Sequence, residues 1–250
     1  LVLRPGQRSA ARRTPSPTLV PLLTVLSILM SFALPLAIMM ISYRAGVDIS
    51  GWVYIGLVAV LLTMSATQLA EGFAALGKNP IPPQPTTPAP TATAIVAAYL
   101  PNEAATIMET LGSLLSQEYS GRLQVILAYN SPISLPIEAE LRALESTEPR
   151  LHVLRVAFSR SKADNVNAAL ALVEGEFVAI FDADHQPMPG SFERAWRWFA
   201  DGVDILQGHC VVRNGDESGM ARMVAIEFEQ IYAVSHPGRQ RLHSFGIFGG

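Results

Sequence analysis

The sequence predicts an α/β domain, a mostly parallel sheet with helices on both faces, preceded by a two-helix transmembrane hairpin. Three observations carry this reading. Two long apolar runs without charge lie near the start of the chain. A proline- and threonine-rich stretch follows them. From residue 94 onward, short apolar runs alternate with segments of helical periodicity, the pattern of parallel strands joined by crossover helices.

The first apolar run, Leu19 to Ile41, exceeds the roughly 20 residues that a bilayer core of about 30 Å requires. The second, Trp52 to Leu69, is just long enough, with Trp52 and Tyr54 at its start, where amphipathic rings favour a membrane interface. The first run is too long for a cleaved signal peptide and a second span follows closely. Arg4, Arg8, Arg12 and Arg13 precede the first run, whereas the connecting loop offers Arg44 offset by Asp48. The positive-inside rule therefore places the N-terminus, and after two crossings the following domain, in the cytoplasm of an inner or plasma membrane.

The expected division is a basic tail over residues 1–18, a hairpin over 19–71, a linker over 72–93 and a catalytic domain over 94–250. Six prolines between Pro80 and Pro90 make the linker a semi-rigid spacer. The chain starts at Leu1 and stops in an apolar glycine-rich stretch at Gly250, which predicts a fragment with a C-terminally incomplete domain.

Within that domain, strands are expected at Ala94–Leu100, Leu123–Tyr129, Leu151–Val156, Phe177–Phe181 and Val203–Val212. Helices are expected at Glu103–Gln117, Pro136–Leu144, Lys162–Val173, Gly190–Phe199 and Gly219–Tyr232. The strand before Asp182 is continuously apolar and is expected to be buried. The chain is 50% hydrophobic and 16% charged, with a net charge of −3, which argues against a nucleic-acid partner. Its single cysteine, Cys210, rules out an internal disulfide.

Ligands of parallel sheets bind beyond the carboxyl ends of the strands, so polar residues there are the site candidates. The sharpest is Phe181-Asp182-Ala183-Asp184-His185. Carboxylates at i and i+2 of an extended chain point to one side. Left unpaired they repel, and a hard cation such as Mg²⁺ or Mn²⁺ would relieve the repulsion. The competing reading is a solvated acidic turn capping the next helix. A second candidate is the segment Ser159 to Asn167, where small polar residues lead into an apolar helix whose first turn offers free N–H groups to an anion. Lys162, the one lysine after residue 78, supplies a compact charge suited to phosphate, unless it is a solvated residue beside a helix cap. Glu227 and Glu229 read as a solvated helix face.

Asn102-Glu103 after a strand, a strand ending in Asn130, Ser161-Lys162-Ala163-Asp164-Asn165-Val166-Asn167, Phe181 to His185, Gln207-Gly208 and Phe245 to Gly250 occur in this order. The set resembles the membrane-bound family 2 glycosyltransferases of the cellulose-synthase-like kind, with a GT-A fold, over Ile95 to Gly250. The resemblance implies that Asn102 and Glu103 form a nucleotide-contacting turn and that Lys162 and Asn167 lie near the donor phosphates. It implies that Asp182 and Asp184 are catalytic and bind the metal, and that Phe248, Gly249 and Gly250 begin an acceptor-side loop. Asn130 stands where the family often carries an aspartate that contacts the base. The family's catalytic base comes from a motif beyond Gly250.

The expected function is metal-dependent, inverting transfer of a sugar from a nucleotide-diphosphate sugar to a polysaccharide or lipid acceptor, a hexosyltransferase-type activity. The alternatives are a sugar nucleotidyltransferase, which would need no membrane hairpin, and a non-catalytic membrane-tethered assembly subunit, which would not need Lys162, Asp182 and Asp184.

Overall fold

The structure, a computed structural model, describes residues 19–77 and 79–243. The described chain divides into two compact units, one formed by residues 79–208 and the other by 19–77 together with 209–243.

The second of these units begins with α1 (Leu19–Ile28), a π-helical turn (Leu29–Ala33) and α2 (Leu34–Arg44), which form one continuous rod. The π turn has a local cause. Pro35 lacks an N–H and its ring crowds the carbonyl four residues earlier, so the chain widens by a residue ahead of it. After a short loop comes α3 (Ser50–Ala75). Pro21–Arg44 and Ser50–Ala75 have mean hydropathies of 2.3 and 1.8 and bury none of their apolar window inside the protein. They are long and apolar enough to cross a membrane. Both extend past their expected ends, because Ser42 and Tyr43 at one end and Ala70 to Ala75 at the other are compatible with helix.

The other unit carries β1 (Ala92–Tyr99), α4 (Leu100–Glu103), α5 (Ile107–Leu115), β2 (Leu123–Asn130), α6 (Ile137–Thr147), β3 (Leu151–Arg155), α7 (Lys162–Leu170), β4 (Phe177–Asp182) and α8 (Ser191–Ala200). Its four strands are all parallel, in the order β3-β2-β1-β4. Central β1 and β2 are buried on both faces, which their runs of Ile, Val, Leu and Ala allow. On one face Val96, Val125 and Leu127 pack with Ile107, Leu111 and Leu114 of α5, Leu141 of α6 and Phe192 of α8. On the other, Ile95, Ile126 and Ala128 pack with Ala169 of α7. Helices thus cover both faces, as the alternation predicts.

Three expectations need correction. β4 is not buried throughout: it is the edge strand of the described sheet, and Ile180, level with Ile95, is 40% exposed. Val203–Val212 forms no strand, since an isolated extended segment interrupted by Asp204 and Gly208 has no ladder to join. The helix expected at Glu103–Gln117 is broken at residues 104–106, where the Thr106 side chain and N–H both bond to the Glu103 carbonyl and close a turn in place of a helical step.

The second unit closes with α9 (Gly219–Glu229), a π turn (Gln230–Ser235) and α10 (His236–His243). The helix was expected to stop at Tyr232, ahead of His236-Pro237-Gly238-Arg239. Instead a π turn again precedes the proline, accommodates its missing donor and carries the helix on. Here α10 packs on α3. Arg239 Nε donates to Glu71 Oε1 at 2.8 Å, with Glu71 4% exposed, and Arg241 Nη1 donates to the Ala74 carbonyl.

Gly238 makes the close approach possible. A Cβ there would run into the Glu71 carbonyl oxygen and lie 2.7 Å from its carbon. Gly238→Ala should gain up to about 1 kcal/mol of helix propensity. The clash with rigid backbone should cost about 1–3 kcal/mol and prevail. We expect a lower Tm for the protein in detergent; an unchanged or raised Tm would contradict this packing.

Candidate active site

The carboxyl ends of β1, β2 and β4 lie side by side. Register places Tyr99 level with Asn130 and Asp182 level with Ala97. Asn130 and Asp182 are the last paired residues of β2 and β4, and β1 gives way after Tyr99 to the α4 turn that carries Asn102 and Glu103.

The Asp182–His185 turn is gripped from beneath by α5. Ala183 is fully buried between the two aspartates. Its carbonyl accepts from Thr110 Oγ1 at 2.8 Å and from Thr106 Oγ1 at 3.4 Å. Further along, the Pro187 carbonyl accepts from Ser113 Oγ and Gln117 Nε2, each at 3.0 Å. The turn is therefore pinned through its backbone; Asp182 is the last residue of β4 whereas Ala183 and Asp184 lie in the turn, so the two carboxylates are not set by the alternation of an extended chain as the sequence predicts. Thr106 and Thr110 escape sequence reading, since a threonine on the inner face of an amphipathic helix looks like a small core residue.

Ligand atoms of Asp182, Asp184 and His185 all lie within 4.8 Å of one another. His185 joins the group although the sequence reading considered only carboxylates; its place directly after the acidic pair is the signal. Its Nε2 is 3.8 Å from Asp182 Oδ2, and its Nδ1 lies 3.4 Å from the Asp182 N–H. Two carboxylates and an imidazole so close together fit a divalent cation.

The premise that both carboxylates are unpaired needs correction. Lys162 Nζ forms an ion pair with Asp182 Oδ1. Lys162 is the first residue of α7, whose N-cap Ser161 accepts from the Asp164 N–H at 3.2 Å while Asp164 Oδ2 accepts from the Arg160 N–H at 2.9 Å. That capping arrangement fixes the helix start and hence the position from which the lysine reaches β4.

Glu103 completes the cluster. Its Oε2 accepts from the Tyr99 N–H at 2.6 Å. Burial pushes its carboxyl above the ordinary glutamate value, and the neighbouring Asp184 and Asp182 push the same way. The Tyr99 N–H and the Lys162 ammonium oppose the rise. Asn102, beside it on α4, is exposed.

Asn130 ends β2, two strands from Asp182. Its Oδ1 accepts from Asn165 Nδ2 at 2.9 Å, and the same amide nitrogen donates to the Ala98 carbonyl at 3.0 Å. Asn165 is 1% exposed. Asn167 is exposed and stands about 140° around α7 from Lys162, on a different face. Phe248, Gly249 and Gly250 lie outside the described residues. In the other unit, Glu229 Oε1 lies 3.2 Å from His209 Nε2.

Similarities to known proteins are of limited extent, as three of them show. A 48-residue stretch, 19% of this chain and 7% of the other, is 44% identical to the cellulose synthase catalytic subunit [UDP-forming] of Xanthomonas axonopodis pv. citri (strain 306). The mannosyltransferase PcManGT from Pyrobaculum calidifontis, solved in complex with GDP-Man and Mn²⁺, is 28% identical, with a TM-score of 0.47 over 58% of this chain and 43% of that one. TarS 1-349 of S. aureus is 19% identical, with a TM-score of 0.38 over 50% of this chain and 42% of that one. The chain thus spans less than half the length of each. The model of glycosyl transferase family 2 matches residues 93–248, well over half of the chain and every strand and helix around the acidic turn. The chain belongs to glycosyl transferase family 2.

Proposed function

We propose that the protein is a membrane-anchored transferase that moves a sugar from a nucleotide-diphosphate sugar to a polysaccharide or lipid acceptor, with inversion, on the cytoplasmic side of a membrane. The observation that carries the reading is the convergence of Asp182, Asp184, His185 and Lys162 at the strand ends of a family 2 domain.

Asp182 and Asp184, with His185 beside them, would hold Mg²⁺ or Mn²⁺. Such a cation neutralises charge on a departing diphosphate. The Lys162 ammonium, close to the same carboxylate, faces the same developing anion. Asn102 and Glu103 on the α4 turn and Asn130 at the end of β2 would take the nucleoside. Asn167 would lie near the donor phosphates, reached from a different face of α7 than Lys162. Phe248, Gly249 and Gly250 would open the acceptor side, and a carboxylate beyond Gly250 would deprotonate the acceptor hydroxyl.

Two experiments test this reading. Asp184→Asn in the full-length protein should lower sugar transfer by about 10²–10³-fold, the usual effect of removing one preorganised charge stabiliser. Asp182→Asn should act similarly, with both variants keeping the wild-type circular dichroism spectrum. Near-native turnover by either variant would contradict the proposed metal site. Sidedness rests on the excess of arginine before α1. A reporter fused after Thr93 should be active only in its cytoplasmic form; activity on the outer side would reverse the topology.

A further inference from the structure

Glu71 sits near the end of α3, a helix with no other acidic or basic residue. It is 4% exposed, and its Oε2 is buried without a hydrogen-bond partner. The other oxygen accepts from Arg239 Nε at 2.8 Å. A carboxylate withdrawn from water for one such bond gains little net stability, because desolvation offsets the attraction. An apolar residue would suit the end of an apolar helix at lower cost.

What the pair does impose is register. Sliding α10 along α3 by a turn would strand the buried carboxylate without its guanidinium, the costliest outcome open to it. The surrounding contacts hold the same register. Gly238 lies against the Glu71 backbone, and a Cβ on Gly72 would lie 3.9 Å from Val234 Cγ1. Arg241 Nη1 donates to the Ala74 carbonyl.

Helix geometry gives the depth of this clamp. Trp52 to Glu71 is about 28 Å of helix, close to the thickness of a bilayer core. With Trp52 at one interface, Glu71 stands at the other, and α10 is fixed where the second span leaves the membrane.

Chain order says what the clamp positions. The proposed donor-site residues lie between Asn102 and Asp184, all in the unit of residues 79–208. After residue 208 the chain returns to the unit that holds the spans and runs through α9 and α10. Phe248 comes five residues after His243, the end of α10. The proposed acceptor-side segment therefore follows in sequence from a helix fixed to a span, and not from the sheet that carries the donor residues.

We infer that Glu71 is a positioning residue for the acceptor: its ion pair with Arg239 holds α10 at one register on the second span and so sets where the acceptor-side segment begins. The inference rests on the proposed sugar transfer and deepens it, since it ties acceptor placement to the membrane anchor and leaves donor binding to the sheet.

The test follows where the sugar goes. Full-length protein in membranes of its host receives radiolabelled UDP-glucose or GDP-mannose with Mn²⁺. Label in lipid or polymer measures transfer, and free sugar measures cleavage of the donor by water. Glu71→Leu keeps the side chain's approximate volume and leaves no buried polar atom at 71. It should lower transfer by about tenfold or more, the effect of a displaced reactant. Hydrolysis, and Mn²⁺-dependent binding of UDP or GDP, should change by less than about twofold. Unchanged transfer would overturn the inference. An equal loss of transfer, hydrolysis and nucleotide binding would also overturn it, since that pattern means general damage. Adding Arg239→Ala to Glu71→Leu should lower transfer by less than about twofold more, because the two side chains act through one bond. A second loss as large as the first would overturn the ion pair as the route. If Arg239→Ala prevents folding, Glu71→Leu alone decides. If wild type cleaves neither donor, the proposed function itself falls, a result distinct from all of these.

Discussion

Three carboxyl groups, Glu103, Asp182 and Asp184, meet one ammonium, Lys162, where β1, β4 and the start of α7 come together. The excess of negative charge is the constraint on which the rest of the site depends. Nothing in the folding of a parallel sheet requires acidic groups to gather at one end. Holding them there costs free energy that the fold must offset elsewhere. The offset comes from the buried faces of β1 and β2 and from the hydrogen bond that the Thr110 hydroxyl of α5 donates to the Ala183 carbonyl of the acidic turn. A site in which Glu103 is pushed up by burial and by its acidic neighbours is one that gains from an added positive charge.

Much of this was legible in the sequence because strand ends announce themselves. Continuous apolar runs stop abruptly at Asn130 and Asp182, and the residue after such a stop in a parallel sheet faces the ligand side. Lys162 stood out by its rarity and by its place where small polar residues lead into an apolar helix. The illegible parts are tertiary. The grip of Thr106 and Thr110 on Ala183 joins residues more than seventy positions apart, and a buried threonine leaves no pattern that separates it from a small apolar residue. The pairing of Lys162 with Asp182, and the bridge from Asn165 to both Ala98 and Asn130, depend on which strands are neighbours, which periodicity does not encode.

Two of the expectations that failed share a cause. Val203–Val212 has the composition of a strand but finds no ladder among the described residues, and the apolar β4 sits at an edge and exposes Ile180. In both places composition reports what a segment could pair with, not what it does pair with. The helix continuing through Pro237 failed differently. A proline stops a regular α-helix, yet a preceding π turn absorbs it, as another does before Pro35, and Gly238 then allows α10 to lie against the backbone of α3.

The central claim is that the strand ends form one site for a divalent cation and a nucleoside diphosphate. Binding of the two ligands must then be coupled, by the same factor in each direction. Mn²⁺ titration of the full-length protein in detergent, followed by electron paramagnetic resonance with and without a saturating nucleoside diphosphate, measures that coupling. Comparison with Asp184→Asn locates it, with Mn²⁺ held by free nucleotide subtracted. The account predicts that nucleotide tightens Mn²⁺ binding by about tenfold or more in wild type, and that Asp184→Asn removes the effect. Equal Mn²⁺ affinity with and without nucleotide, or coupling that survives in Asp184→Asn, would contradict it.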